Sequence, residues 1–235
     1  MKYSKSFHDT LKKTLGESWY NAIGSEFEKP YMINLSKTLQ RERKIYDIYP
    51  EQKDVFRAYK LTPLEEVKIL ILGQDPYHTP GVADGLAFSM KDKIGQRTPP
   101  SLKNIFREIE SDIGFSAYHD TDLSRWAKQG VMLLNTSLTV RKGSPGSHAD
   151  IGWKIFTSKT IELISQKEDK VVFLLWGKKA YEYINIVLKG NKNHKYLCAA
   201  HPSPYSANRG FFNCKHFSIA NELLQQSNKQ AINWL

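Results

Sequence analysis

The sequence predicts an α/β fold: a single domain of three layers, α/β/α, around a central, twisted, four-stranded parallel sheet. Three observations predict it. Four short apolar runs, Lys68–Leu72, Val131–Leu134, Val171–Trp176 and Tyr196–Ala200, have the length and continuity of buried strands. Stretches with helical spacing separate them, and alternation of this kind indicates a parallel sheet with both faces covered. Each of the four runs also leads into a polar segment, and open parallel sheets bind ligands at the carboxyl ends of their strands.

Taken in order, residues 1–60 form the mainly helical N-terminal part of the same domain, with Trp19, Ile23 and Phe27 at i, i+4, i+8 spacing. A basic, tyrosine-bearing connector, Leu39–Pro50, ends at a proline that stops regular structure. After the first strand, Leu102, Ile105, Phe106, Ile109 and Ile113 form one apolar helical stripe, for which Ser101 is the expected N-cap. Trp153, Phe156, Thr160, Ile161 and Ile164 predict a second helix after the second strand. Tyr181, Ile184, Val187 and Leu188 predict a third, and Phe217, Ala220, Leu223 and Leu224 a last one behind the fourth strand.

Composition narrows the class. A chain of 235 residues suits one large domain, and 40% hydrophobic residues suffice for a core. There is no apolar stretch of about 18 residues that would span a membrane. The first residues, Met1–His8, lack the apolar segment of a secretory signal, so a cytoplasmic location is expected. Cys198 and Cys214 make no disulfide framework and no Cys-x-x-Cys pair. Lysine and arginine exceed aspartate and glutamate by ten, which suits a polyanionic partner because neutralised phosphates release condensed counterions.

The first strand runs into Gly73-Gln74-Asp75-Pro76-Tyr77-His78, where Pro76 stiffens the turn. The second runs into Asn135-Thr136-Ser137, the third into Gly177-Lys178-Lys179, and the fourth into His201-Pro202-Ser203-Pro204. Asp75 is the only carboxylate in these signatures, and His201 is the clearest acid or electrophile. A carboxylate opposite an imidazole can act as nucleophile, as general base or as a stabiliser of transition-state charge. Gly-x-Ser-x-Gly is absent, which argues against acyl transfer. No His-Glu-x-x-His, cysteine-based metal pattern or phosphate-binding loop appears, although Asp75, His78 and His201 leave a metal corner open. Asn135 places a donor and an acceptor side by side, matching the N–H and C=O of a pyrimidine edge. Phe88 could stack a flat base, and the serines of Pro99-Pro100-Ser101 and Pro202-Ser203-Pro204 could present hydroxyls to a phosphate.

These residues resemble the family 1 uracil-DNA glycosylases. Three blocks carry the likeness: Gly73–His78 with Gly85–Ser89, Gly130–Thr136, and His201–Pro204 with Arg209–Phe212. Pro99–Leu102, Leu138–Arg141, Gly152-Trp153, Phe173–Gly177 and Ile232–Trp234 support it, in family order over nearly the whole chain. The resemblance implies a uracil-DNA glycosylase-like fold and an enzyme that extrudes deoxyuridine from DNA and hydrolyses its N-glycosidic bond without metal or cofactor. Extrusion is required because the bond is inaccessible inside a stacked duplex. Carried over residue by residue, Asp75 orients the attacking water and stabilises an oxocarbenium-like sugar, while a neutral His201 hydrogen-bonds uracil O2. Asn135 reads the uracil edge, Phe88 stacks on the base, Tyr77 excludes the thymine methyl and Gln74 contributes to the water side. His78, Pro99, Pro100, Ser101, Gly177, Ser203, Pro204 and Arg209 are implied DNA contacts. The implied partners are uracil-containing DNA, double- and single-stranded, and a DNA-mimic inhibitor protein, with the enzyme acting as a monomer. The alternative is a uracil-DNA binding protein that has lost catalysis.

Two places depart from the family pattern. Tyr205 follows His201-Pro-Ser-Pro204 where the family has a leucine wedge, and it is expected to act as the wedge by stacking. Thr79, Val82 and Asp84 stand where the family has Gly, Gln and His. A carboxylate at position 84 is expected to oppose nearby phosphates or to be neutralised by a lysine.

Overall fold

The computed structural model describes residues 4–91, 97–114 and 120–235. Its N-terminal part is α1 (Lys5–Leu15), α2 (Glu17–Ile23), a 3-10 turn (Gly24–Glu28), α3 (Pro30–Glu42), β1 (Ile48–Tyr49) and α4 (Arg57–Leu61). The predicted stripe of Trp19, Ile23 and Phe27 is split, because α2 ends at Ile23 and Phe27 lies in the 3-10 turn. Phe27 still faces inward, against Phe56 at 5.5 Å and Phe156 at 5.4 Å between ring centroids.

The main sheet is β2 (Ile69–Gly73), β3 (Val131–Asn135), β5 (Val172–Trp176) and β6 (Lys195–Ala199), parallel, in the order β3-β2-β5-β6. A separate two-stranded antiparallel ribbon pairs β1 with β4 (Val140–Arg141). Every residue of β2, β3 and β5 is buried, so both faces of these strands are covered. The fourth predicted strand is an exception: β6 is an edge strand, with Lys195, Tyr196 and Cys198 exposed.

The remaining helices are α5 (Pro100–Ile113), α6 (Ser124–Ala127), α7 (Trp153–Ser165), α8 (Lys178–Tyr181), α9 (Ile184–Lys189) and α10 (His216–Gln225). α5 packs on α10, and α7 on α9 and α2. The stripe Leu102, Ile105, Phe106 and Ile109 is buried as expected, but the N-cap is Pro99 rather than Ser101. Proline at the first helical position loses only an N–H that has no intrahelical partner there, so Pro100 starts the helix and Ser101 falls inside its first turn. The third predicted helix is broken into α8 and α9, leaving Tyr181 and Leu188 exposed.

This arrangement brings four strand ends to one edge. Asn135 closes β3, Gly73 closes β2, Gly177 follows β5 and His201 lies two residues beyond β6. Adjacent strands are about 4.8 Å apart, so elements leaving β2 and β6, separated by β5, flank a gap of roughly 10 Å.

Candidate active site

A cavity of about 220 Å³ opens at this edge, lined among others by Gln74, Asp75, Tyr77, His78, Phe88, Ser101, Asn135 and His201. It lies just below the range of about 300–1,000 Å³ usual for drug-sized ligands, and so suits a single ring. A larger cavity of about 490 Å³ beside α3 is walled mostly by apolar side chains and has no carboxylate or imidazole in its lining.

Asp75 is positioned through one oxygen. Its Oδ2 accepts the Gly146 backbone N–H at 2.7 Å and a Gln74 amide N–H at 3.3 Å. Among the described residues no protein donor reaches Oδ1, which leaves it for water or substrate. Burial raises the carboxyl above its ordinary value of 3.8, while Gly146, Gln74, His148 and His78 pull the other way. The loop carrying Gly146 is itself anchored. Glu42 forms an ion pair with Arg141, the buried His148 reaches Glu42 through Nε2 at 2.8 Å, and its Nδ1 meets Thr139 Oγ1 at 2.7 Å.

The His201 ring is held by its own loop. Nδ1 accepts the Ser203 N–H at 3.0 Å, so a neutral ring carries its proton on Nε2. Burial lowers the imidazole below 6.5, which favours that neutral state. Ser206 Oγ donates to the His201 carbonyl at 2.7 Å, and Asn104 of α5 donates to the Pro202 carbonyl at 2.8 Å. Gly177 has φ +86°, and an added Cβ would lie 2.8 Å from His201 Cβ. The absence of that atom lets His201 approach β5.

The ring floor is aromatic. Phe88 faces Trp176 at 5.6 Å and His201 at 5.7 Å, and its carbonyl accepts the Tyr77 hydroxyl at 3.0 Å. Asn135 is buried, and its Oδ1 finds no hydrogen-bond partner. A buried acceptor left open in a cavity wall is costly unless a ligand completes it. A Cβ on Gly73 would lie 2.2 Å from that oxygen.

The other predicted contacts surround the cavity without lining it. Pro99 and Pro100 open α5, whose first turn leaves N–H groups pointing outward. Ser203 shares a hydrogen bond of 2.8 Å with Ser206, Pro204 is exposed, and Arg209 is exposed in a 3-10 turn. Tyr205 is 90% exposed beside the His201 loop. The carboxylate of Asp84 is fully buried, and its partner is Arg57, at 2.8 Å, rather than the expected lysine. Among the described residues no three His, Cys, Asp or Glu side chains form a group that could hold a metal ion, and no helix is long and apolar enough to cross a membrane.

Sequence reasoning passed over Gly146, Pro145, Ser206 and Arg57. The Gly143-Ser-Pro-Gly-Ser147 run was a readable turn signal. Nothing local marked Arg57, which meets Asp84 only after folding.

The fold and site define an α/β enzyme that joins an acid and a neutral imidazole at the carboxyl edge of a parallel sheet. The model of the uracil DNA glycosylase superfamily matches residues 59–225. The chain is 47% identical over 220 residues to the uracil-DNA glycosylase of Brevibacillus brevis, covering 94% of each chain. It is 49% identical to that of Escherichia coli O81, covering 93% of this chain and 94% of the relative. Among solved structures, mimivirus uracil-DNA glycosylase aligns with a TM-score of 0.85 at 25% identity, over 100% of this chain and 95% of that one. A tyrosine-to-leucine variant of mimivirus UNG in complex with UGI aligns at 0.86 and 27% identity, over 95% of this chain and 90% of that one. The chain belongs to the uracil-DNA glycosylase family.

Proposed function

We propose that Asp75 and His201 together carry the hydrolytic excision of uracil from DNA, with the cavity between their strand ends receiving an extruded deoxyuridine. As a member of its family the chain is a DNA N-glycosylase that releases free uracil and leaves an abasic site, the first step of base excision repair. The observation that carries the residue assignment is the pairing of a half-open Asp75 carboxylate with a His201 ring whose proton sits on Nε2.

The bond from the sugar C1′ to uracil N1 breaks with its electron pair going to the base. The His201 Nε2–H donates to uracil O2 as that charge develops, and the base leaves as an anion. Asp75 faces the cationic sugar, and its Oδ1 accepts a proton from the water whose oxygen bonds to C1′. A donor aimed at charge present only in the transition state lowers the barrier rather than tightening ground-state binding. Asn135 completes its open Oδ1 with the N–H of the uracil ring; cytosine, which has no such N–H, leaves it unpaired. Tyr77, fixed by its bond to the Phe88 carbonyl, occupies the place of a thymine methyl.

Around the pocket, the first turn of α5 with Ser101, the Gly177 turn, and Ser203, Pro204, His78 and Arg209 make the phosphate face. Tyr205 is free to enter the stack, because it is almost wholly exposed. The enzyme acts as a cytoplasmic monomer on duplex and single-stranded DNA, and a DNA-mimic inhibitor should bind with an affinity set in part by Tyr205. The test is incubation with a uracil-containing oligonucleotide followed by alkali. Strand cleavage by the native chain and a rate lower by orders of magnitude for Asp75→Asn support the reading; binding without cleavage by the native chain overturns it.

A further inference from the structure

We propose that the ion pair between the half-buried Arg57 and the buried Asp84 is the positioning device of the base-stacking platform, setting the backbone of Phe88. The inference rests on the uracil pocket described above and adds a role to residues outside it.

Phe88 has φ +64°, in the left-handed region that bulky L-residues avoid. Such a conformation persists only where its surroundings over-determine it. The Asp84 carboxylate supplies that constraint from both sides. Its Oδ1 accepts the Leu86 N–H at 3.0 Å, before Phe88, and its Oδ2 accepts the Ser89 hydroxyl at 2.5 Å, after it. Ser89 Oγ in turn accepts the Leu123 N–H at 3.0 Å, tying the strap to the segment before α6.

A carboxylate with no exposed surface needs a counter-ion. Arg57 Nη1 meets Asp84 Oδ2 at 2.8 Å and the Asp84 carbonyl at 3.3 Å, while Nη2 lies 2.9 Å from Asp122 Oδ2. The start of the strap is pinned as well. Gly85 has φ +92°, and a Cβ there would sit 1.9 Å from the Asp54 carbonyl oxygen. Everything the strap fixes converges on the Phe88 ring, which faces Trp176 and His201. The aspartate therefore works with a partner on α4, an element that supplies none of the residues of the pocket.

Two ligands separate this role from general damage to the fold. Free uracil needs the platform, whereas an abasic duplex occupies the DNA face and brings no base. By equilibrium binding, Asp84→Asn should weaken uracil about tenfold, equivalent to about 1.4 kcal/mol. Abasic-duplex affinity should stay within twofold. Arg57→Gln should do the same, and the double variant should be no worse than either alone, as expected of residues acting as one unit. If Asp84→Asn does not fold, Ser89→Ala keeps the ion pair and removes one arm of the strap, and should cost uracil about threefold. Unchanged uracil affinity in the folded variants, or parallel weakening of both ligands, overturns the proposal. Failure of the native chain to bind uracil would instead show in the unmutated protein, and would remove the pocket reading itself.

Discussion

His201→Ala tests the chemistry most directly. In the native protein the Ser203 N–H occupies Nδ1, so the ring can offer the departing base only an Nε2–H donor. Removing one preorganised donor of this kind costs about 2.7–4 kcal/mol, a loss of about 100- to 1,000-fold in kcat. The loss belongs to the chemical step, because the donor acts on charge that the ground state lacks. Single-turnover excision with enzyme in excess measures that step free of product release. The pH profile supplies an independent reading. Burial raises Asp75 above its ordinary value and lowers His201 below its own, so both groups shape the acid limb of the native enzyme. Activity is present above the limb and is lost as pH falls, because imidazolium formation puts a proton on Nδ1 against the Ser203 N–H and because Asp75 is neutralised. The alanine variant should keep only the Asp75 limb. A loss under about fivefold, a loss confined to KM, or a nitrogen NMR spectrum placing the neutral proton on Nδ1 would each refute the assignment.

Other expectations follow from the same geometry. Asp75→Asn removes a charge facing a cation; at about 4 Å and an effective dielectric near 20 that interaction is about 4 kcal/mol, so kcat should fall about 1,000-fold with substrate binding retained. Gly73→Ala drives a Cβ to 2.2 Å from Asn135 Oδ1, and should abolish uracil binding in calorimetry while the fold survives by circular dichroism. Tyr205→Ala should lower duplex affinity about 10- to 100-fold through lost stacking, with a smaller effect on single strands; equal losses on both in gel-shift assays would remove its role as wedge. Glu42 is held at about 2 by Arg141 and His148, a depressed pKa, so its contribution to stability is complete above 4.5 and fades as pH falls towards 2. Glu42→Gln should therefore lower Tm near neutrality and flatten its fall with acid, as read by thermal melts across that range.

Much of this was legible in the sequence, for physical reasons that can be named. β2, β3 and β5 are buried on both faces, so they read as unbroken apolar runs, and the residues leaving them are local to the strand end. That is why Asp75, Tyr77, Asn135 and His201 could be gathered at one edge before any coordinates. β6, predicted from the apolar run Tyr196–Ala200, lies at the sheet edge, where exposure of Tyr196 and Cys198 weakens the pattern. Ser101 is not the N-cap because Pro99-Pro100 places the helix start two residues earlier. What could not be read were partners set by the closed fold. Gly146 reaches Asp75 across 71 residues, and Arg57 reaches the Asp84 loop from α4. Asp84 illustrates the difference most plainly. From sequence it was a stray charge beside a phosphate site; burial and an arginine make it part of the scaffold.

The site also shows why Asp75 and His201 need opposite supports. Both are taken out of water, and desolvation pushes each toward neutrality. For His201 neutrality is the working state, so burial and the Ser203 N–H act in the same direction. For Asp75 it is the wrong state, because a protonated carboxyl neither stabilises a cationic sugar nor accepts a proton from water. The Gly146 N–H, the Gln74 amide and the fields of His148 and His78 all oppose protonation. The anion is therefore retained by a loop whose anchor, the Glu42–Arg141–His148 cluster, lies outside the pocket. Weakening that anchor should cost activity by letting Asp75 take up its proton at a higher pH, with the pocket's shape and its uracil contacts left in place.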